Sequence, residues 1–204
     1  MGIYAEKTND SFLVEPGTYV ARCVSMIEIG TVEVDWNGNT KRVHKVNIGW
    51  ELPTEIMPPE AGKGEVPYMI SSDFNLSMHE KAKLRQMLEG WRGTKLTEDE
   101  ARKFDVTTVL GKSCMITVVH EPGKADPSKL YAKIAHVSKL MKNQTCPAQI
   151  NPTKLLCYEN FDWALFASLP DYMKDKIRQS VEYKKLPKED GNALLDGPDE
   201  EPAF

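Results

Sequence analysis

Apolar residues recur along this chain with two different periods, and the order in which the periods follow one another predicts its elements. Thr18-Tyr-Val-Ala-Arg-Cys-Val-Ser-Met-Ile-Glu-Ile29 is rich in β-formers and opens on the turn signal Pro16-Gly17, so it predicts a strand. A second strand is predicted over Lys41–Trp50, with apolar Val43 and polar Lys45 marking its texture. Between the two lies Trp36-Asn-Gly-Asn39, whose Asn-Gly pair is a strong hairpin signal. Glu51 to Val66 holds Pro53, Pro58 and Pro59, with Pro67 at its edge, and reads as a loop. Tyr68–Phe74 predicts a third strand.

The period then changes. Ser77-Met-His-Glu80 has the form of a capping box and predicts a helix through Leu84, Met87 and Leu88, stopped by Gly90. Thr97-Glu-Asp-Glu100 is a second such box, opening a short helix with Ala101 and Phe104. Cys114–Val119 is a fourth strand, and Leu130–Val137 a fifth after a loop carrying Pro122-Gly123 and Asp126-Pro127. In the fifth, Lys129, Tyr131 and Lys133 share one face, with Leu130, Ala132 and Ile134 on the other.

Three strands, helices, then two strands is the order of an OB-type fold, a five-stranded Greek-key barrel with helical insertion between strands 3 and 4. The expectation is a mainly β, α+β domain over residues 1–140. From 141 to 188 the texture predicts a helical appendage. Its apolar turn Phe161–Phe166 ends at Pro170, and an amphipathic stretch follows with Tyr172, Met173, Ile177 and Val181 near helical spacing. Residues 189–204 combine low hydrophobicity, proline and unbalanced charge, which predicts a disordered acidic tail.

Charge sharpens this division. The net charge is −4, yet residues 189–204 alone carry six acids and no Lys or Arg, which leaves +2 for the rest. Residues 111–145 hold six lysines against Glu121 and Asp126. A mildly basic body with an acidic tail suits a partner that is itself polyanionic. No run approaches the roughly 18 apolar residues of a membrane helix, and Met1–Asp10 lacks an apolar signal region. With four scattered cysteines and no CxxC, a reduced, cytoplasmic protein is expected.

Enzyme signatures are missing: there is no GxxxxGK[ST], no GxSxG and no HExxH, and the four histidines have no ligand-like spacing. Neither a metal, a cofactor nor a catalytic residue is expected. Aromatic residues beside cations are the better motivated chemistry, because an unpaired nucleic acid offers base faces for stacking and phosphates for Lys and Arg. Trp36, Lys41, Arg42, Lys45 and Trp50 form one such group, and Lys112, Lys129, Tyr131 and Lys133 a second. For each, the competing view is core packing for the aromatic and simple solvation for the lysine. In the tail, Asp199, Glu200, Glu201 and Phe204 pair carboxylates with an apolar anchor, a combination that suits a partner pocket rimmed by basic residues.

Glu200-Glu201-Pro-Ala-Phe204 resembles the acidic tip of bacterial and phage single-stranded-DNA-binding proteins, although proline here stands third from the end. Leu76–Leu84, Gly90-Trp-Arg-Gly93, Phe104-Asp105 and Leu110-Gly-Lys112 through Val137-Ser138 are similar to a group of phage replication-associated single-strand binders, over roughly residues 15–140. The resemblance implies an OB-fold without cofactor and sequence-independent binding of single-stranded DNA in phage replication or recombination. It also implies tail contact with replication or recombination proteins; a phage or prophage protein working in the bacterial host cytoplasm as a homodimer or weak oligomer is the expectation. Two rivals stand beside it: a protein-interaction module, such as a phage inhibitor imitating DNA to engage a host enzyme, and an enzyme with an unobvious carboxylate site.

Overall fold

The computed structural model describes residues 13–36, 38–57, 66–123 and 126–187. The expected tail, with Asp199, Glu200, Glu201 and Phe204, lies outside the described residues. Two long strands dominate: β1 (Gly17–Trp36) and β2 (Asn39–Met57) pair antiparallel from Arg22↔Glu51 to the Asn-Gly hairpin at Trp36↔Asn39. Strand β2 therefore runs through half of the segment expected to be a loop. Pro53, which cannot donate to a ladder, is absorbed where the pairing with β3 (Val66–Asn75) breaks between Leu52 and Ile56.

Next come α1 (Lys83–Arg92), α2 (Glu98–Arg102) and a 3-10 turn at Val106–Val109, followed by β4 (Ser113–Pro122) and β5 (Leu130–Ser138). The strands form one mainly antiparallel sheet in the order β3-β2-β1-β4-β5, giving an α+β architecture. Among the described residues no ladder joins β3 to β5, so the sheet is open there, although the two approach within 8 Å between Cα atoms. Helix α1 packs against both edges. Its Gly90, expected to stop the helix, lies inside it because the helix must approach β5 closely. A methyl group on Gly90 would come within 2.5 Å of the Val137 carbonyl oxygen, and the helix ends at left-handed Gly93 instead.

The two capping boxes divide. Thr97 caps α2 as expected: its hydroxyl accepts from the Glu100 amide, and Glu100 accepts from the Thr97 amide. Those backbone contacts, with Arg92 and the Thr97 hydroxyl, hold the Glu100 carboxyl down to about 2. Ser77 caps nothing. Its hydroxyl accepts from the His79 amide in a tight turn, and α1 starts six residues later, after Ala82. The turn is needed to swing the chain from β3, whose end is tied by the Leu76 amide to the His44 carbonyl.

The inner face of the sheet is apolar. On β2, Val46, Ile48, Trp50 and Leu52 all point inward, joined by Ala21, Cys23, Met26, Ile116, Val137 and the helix residues Leu84, Leu88 and Trp91. Burial pushes the Cys23 thiol up to about 12, so it stays protonated at neutral pH. Bulges in β1 between Cys23 and Ser25 and between Glu28 and Gly30 let one strand serve two cores. Ile27 and Ile29 face a second cluster outside the sheet, with Leu156, Phe166, Leu169, Met173 and Ile177. These come from the chain after 141: β6 (Lys154–Leu156) pairs parallel with Ser25–Ile27, then α3 (Trp163–Ala167) and α4 (Asp171–Arg178) pack over it. Strand β6, three residues long, is an element the periodicity does not predict.

Candidate nucleic-acid interface

Strand pleating decides which side chains can meet a ligand. With Val46, Ile48 and Trp50 inward, the outer face of β2 carries Lys45, Asn47, Gly49 and Glu51. Register places these opposite Asn75, Asp73, Ser71 and Met69 of β3. On β5, Ala132 and Ile134 pack on the core, so Tyr131 and Lys133 point outward, Tyr131 with 48% of its surface exposed. The outer sides of β2, β3 and β5 thus present small polar residues and lysines with exposed Tyr131 and Met69.

The chain after 141 walls this face on one side. Glu51 is fully buried, and its carboxylate accepts from the amides of Ile150 and Asn151 at 3.1 and 2.8 Å and from the Asn151 side chain at 3.0 Å. That fixes the loop leading into β6. Lys176 of α4 reaches Asp73 of β3 at 2.6 Å, and Asp73 also accepts from Asn47 at 2.7 Å. Between α4, this loop and the sheet lies a cavity of about 300 Å³. Its lining carries one formal charge, Lys154, and no carboxylate.

A second anchor sits around Gly30, where φ is +92°. A methyl group there would lie 2.7–2.8 Å from Glu182, Ser180 and Tyr158, so glycine is required both by its dihedral and by the close approach. Glu182 accepts from the Thr31 amide and hydroxyl, each at 2.6 Å, and the Val181 amide donates to the Thr31 carbonyl. Burial opposes the Glu182 charge, but these hydrogen bonds and nearby His44 outweigh it and hold the carboxyl below its ordinary value. His44 bridges on to Glu28 at 2.7 Å, and the Tyr158 hydroxyl donates to the Ile29 carbonyl. The segment that carries α3 and α4 is in this way tied to β1 before α3, by Tyr158, and after α4, by Glu182.

The expected site residues do not gather into one patch. Lys45 lies on the outer face of β2. Lys41 and Arg42 are exposed farther along the β1–β2 ribbon, beyond its pairing with β3, and Arg42 is engaged with Glu33 at 3.2 Å. The Trp36 side chain lies outside the described residues. Lys129, Tyr131 and Lys133 lie together on the β4–β5 hairpin, whereas Lys112 precedes the opposite end of β4. Trp50 is a correction. It is 0% exposed, its ring centroid 6.0 Å from that of Trp91, and it belongs to the core rather than to any stacking surface.

Other residues on this face were not expected there. Tyr172 is 58% exposed beside the cavity, with Lys176 5.7 Å above its ring. Met69 and Ile150 are exposed nearby, and Lys154 lines the cavity. The i, i+4 spacing was the available signal: Met173 and Ile177 form the buried stripe of α4, which leaves Tyr172 and Lys176 as the neighbouring stripe.

Among the described residues no group of three or more His, Cys, Asp or Glu could hold a metal ion, and no helix is long and apolar enough to cross a membrane. Comparison of the chain with protein-family models, curated proteins and solved structures gives no match.

Proposed function

We propose that this chain binds single-stranded DNA without sequence preference, across the outer face of β2, β3 and β5. The observation that carries the reading is the pairing of exposed Tyr131 with Lys129 and Lys133 on one side of β5, on the same outer surface as Lys45 of β2. Stacking on an aromatic ring tolerates any base, and lysines read phosphate rather than sequence, so this mixture favours single strands over duplex.

The strand order supports an OB-type barrel as the finer reading of the fold. Order β3-β2-β1-β4-β5, with β3 and β5 facing each other and α1 against both, is what such a barrel has when its last pair of edges is left unzipped. In that fold the β2–β3 face and its flanking loops take oligonucleotides. The tail residues Asp199, Glu200, Glu201 and Phe204 would then recruit replication or recombination proteins, as the resemblance to phage single-strand binders implies.

Titration of a labelled poly-dT oligonucleotide with the full chain tests the reading. Affinity should fall about linearly in log–log terms with salt, and unlabelled duplex should compete poorly. Equal binding of duplex and single strand would contradict it.

A further inference from the structure

We propose that the cavity between α4 and the β2–β3 face is a nucleobase pocket, in which a base stacks on Tyr172 while its phosphate meets Lys154. The inference rests on the single-strand reading and gives the C-terminal segment a part in binding. Three observations carry it. The first is the composition of the walls: Leu169, Pro170, Met173 and Met69 are apolar, the floor is formed by Asn47, Ser71 and Gly49, and no carboxylate is present. A flat heteroaromatic ligand uses both kinds of surface, its faces against the apolar walls and its edge against the amide and hydroxyl of the floor.

The second is Gly49, which lines the cavity. A methyl group there would come within 3.1 Å of the Ser25 Cβ, also in the lining, so a larger residue would crowd this wall. The third is Tyr172 itself. The buried stripe of α4 does not use it, and the helix presents it to the solvent at the cavity's edge with the Lys176 ammonium beside its ring. Single-strand binders stack bases on such rings beside cations, and with Lys176 paired to Asp73 the phosphate is left to Lys154 in the lining. The helix that carries Tyr172 is tied to the sheet by Lys176–Asp73 in its C-terminal half and by Glu182–Thr31 just beyond its end.

Two measurements on the full chain test the pocket separately from the general reading. Thymidine 5′-monophosphate at millimolar concentration should shift the 13C-methyl signals of Met69 and Met173 and leave in place that of Met115, which is buried in β4 and does not line the cavity. In poly-dT anisotropy, Tyr172→Ala should weaken binding about tenfold, and Tyr172→Trp should restore it. If the methyl signals do not move, or if Tyr172→Ala binds as tightly as the parent while Lys133→Glu weakens binding, the pocket is wrong and the single-strand reading stands. If the parent protein binds no oligonucleotide, the reading fails. The methyl shifts then decide the pocket alone: movement of Met69 and Met173 keeps it as a nucleotide site, and their silence ends it.

Discussion

The two faces of the same sheet obey different rules. Inward, β2 offers Val46, Ile48, Trp50 and Leu52, all buried within one apolar cluster. Outward, one residue out of phase, it offers Lys45, Asn47, Gly49 and Glu51, small or polar, with Asn47 held by Asp73 and Glu51 by Asn151. Substitutions should therefore separate: inner-face changes should cost stability, and changes at exposed outer-face positions such as Tyr131 should cost binding with little loss of stability. Strand β1 departs from this pattern because its bulges place Ile27 and Ile29 outward, which is what allows a second core to form there.

The largest expected effect is on the inner face. Trp50→Ala should destabilise the fold by about 3–5 kcal/mol in chemical denaturation, since a fully buried ring leaves a cavity against Trp91. Retained stability would mean that Trp50 is not a core residue. Gly30→Ala comes next. A left-handed dihedral costs a side chain on the order of 1–3 kcal/mol, and here the new methyl also meets Glu182, Ser180 and Tyr158. Faster proteolysis within residues 146–187 should accompany the loss, since this glycine sits under their anchor.

Outer-face changes should behave oppositely. Tyr131→Ala should weaken single-strand binding by about 1–3 kcal/mol, with a change in unfolding free energy of roughly 0.5 kcal/mol or less. A large drop in stability would place Tyr131 among packing residues and blur the distinction between the faces.

A smaller effect depends on pH. The folded Glu182 carboxyl lies below its unfolded value, so the anchor contributes stability above the ordinary carboxylate range and loses it as pH falls through the folded value. Glu182→Gln should therefore be less stable than the parent near pH 7, and the gap should close on acidification below about pH 4. A gap that is constant with pH would show that the charge has no role in the anchor. Arg42→Ala, an exposed pair with Glu33, should change stability by only about 0.5 kcal/mol or less.

Much of the fold was legible because β-branched runs and turn residues agreed with each other. All five main strands and the Asn-Gly hairpin lie where the pattern predicts, with ends extended by the mutual pairing of β1 and β2. Strand β6 was not legible, because three residues carry no period and its pairing depends on β1 having a free side after β4 ends at Arg22. The site was less legible than the fold. Residues two apart share a face, so Val43 and Lys45 lie on one side of β2, and the inward stripe is read from Val46, Ile48, Trp50 and Leu52. Trp50 looked like a platform because it follows a cationic stretch, but its parity puts it inside. Tyr172 looked like part of an apolar stripe because only packing distinguishes it from Met173. Lys112 and Lys133 are close in sequence but are sent to opposite ends of the β4–β5 pair by its antiparallel register.

The most direct test of the central claim compares poly-dT binding by the parent chain and by the Tyr131→Ala, Lys133→Glu double substitution, at low and high salt, after circular dichroism shows equal folding. The account predicts tight, salt-sensitive binding by the parent, and for the double substitution at least a tenfold loss with a shallower salt slope. Undiminished binding by the folded double variant, or none by the parent even at low salt, would contradict it.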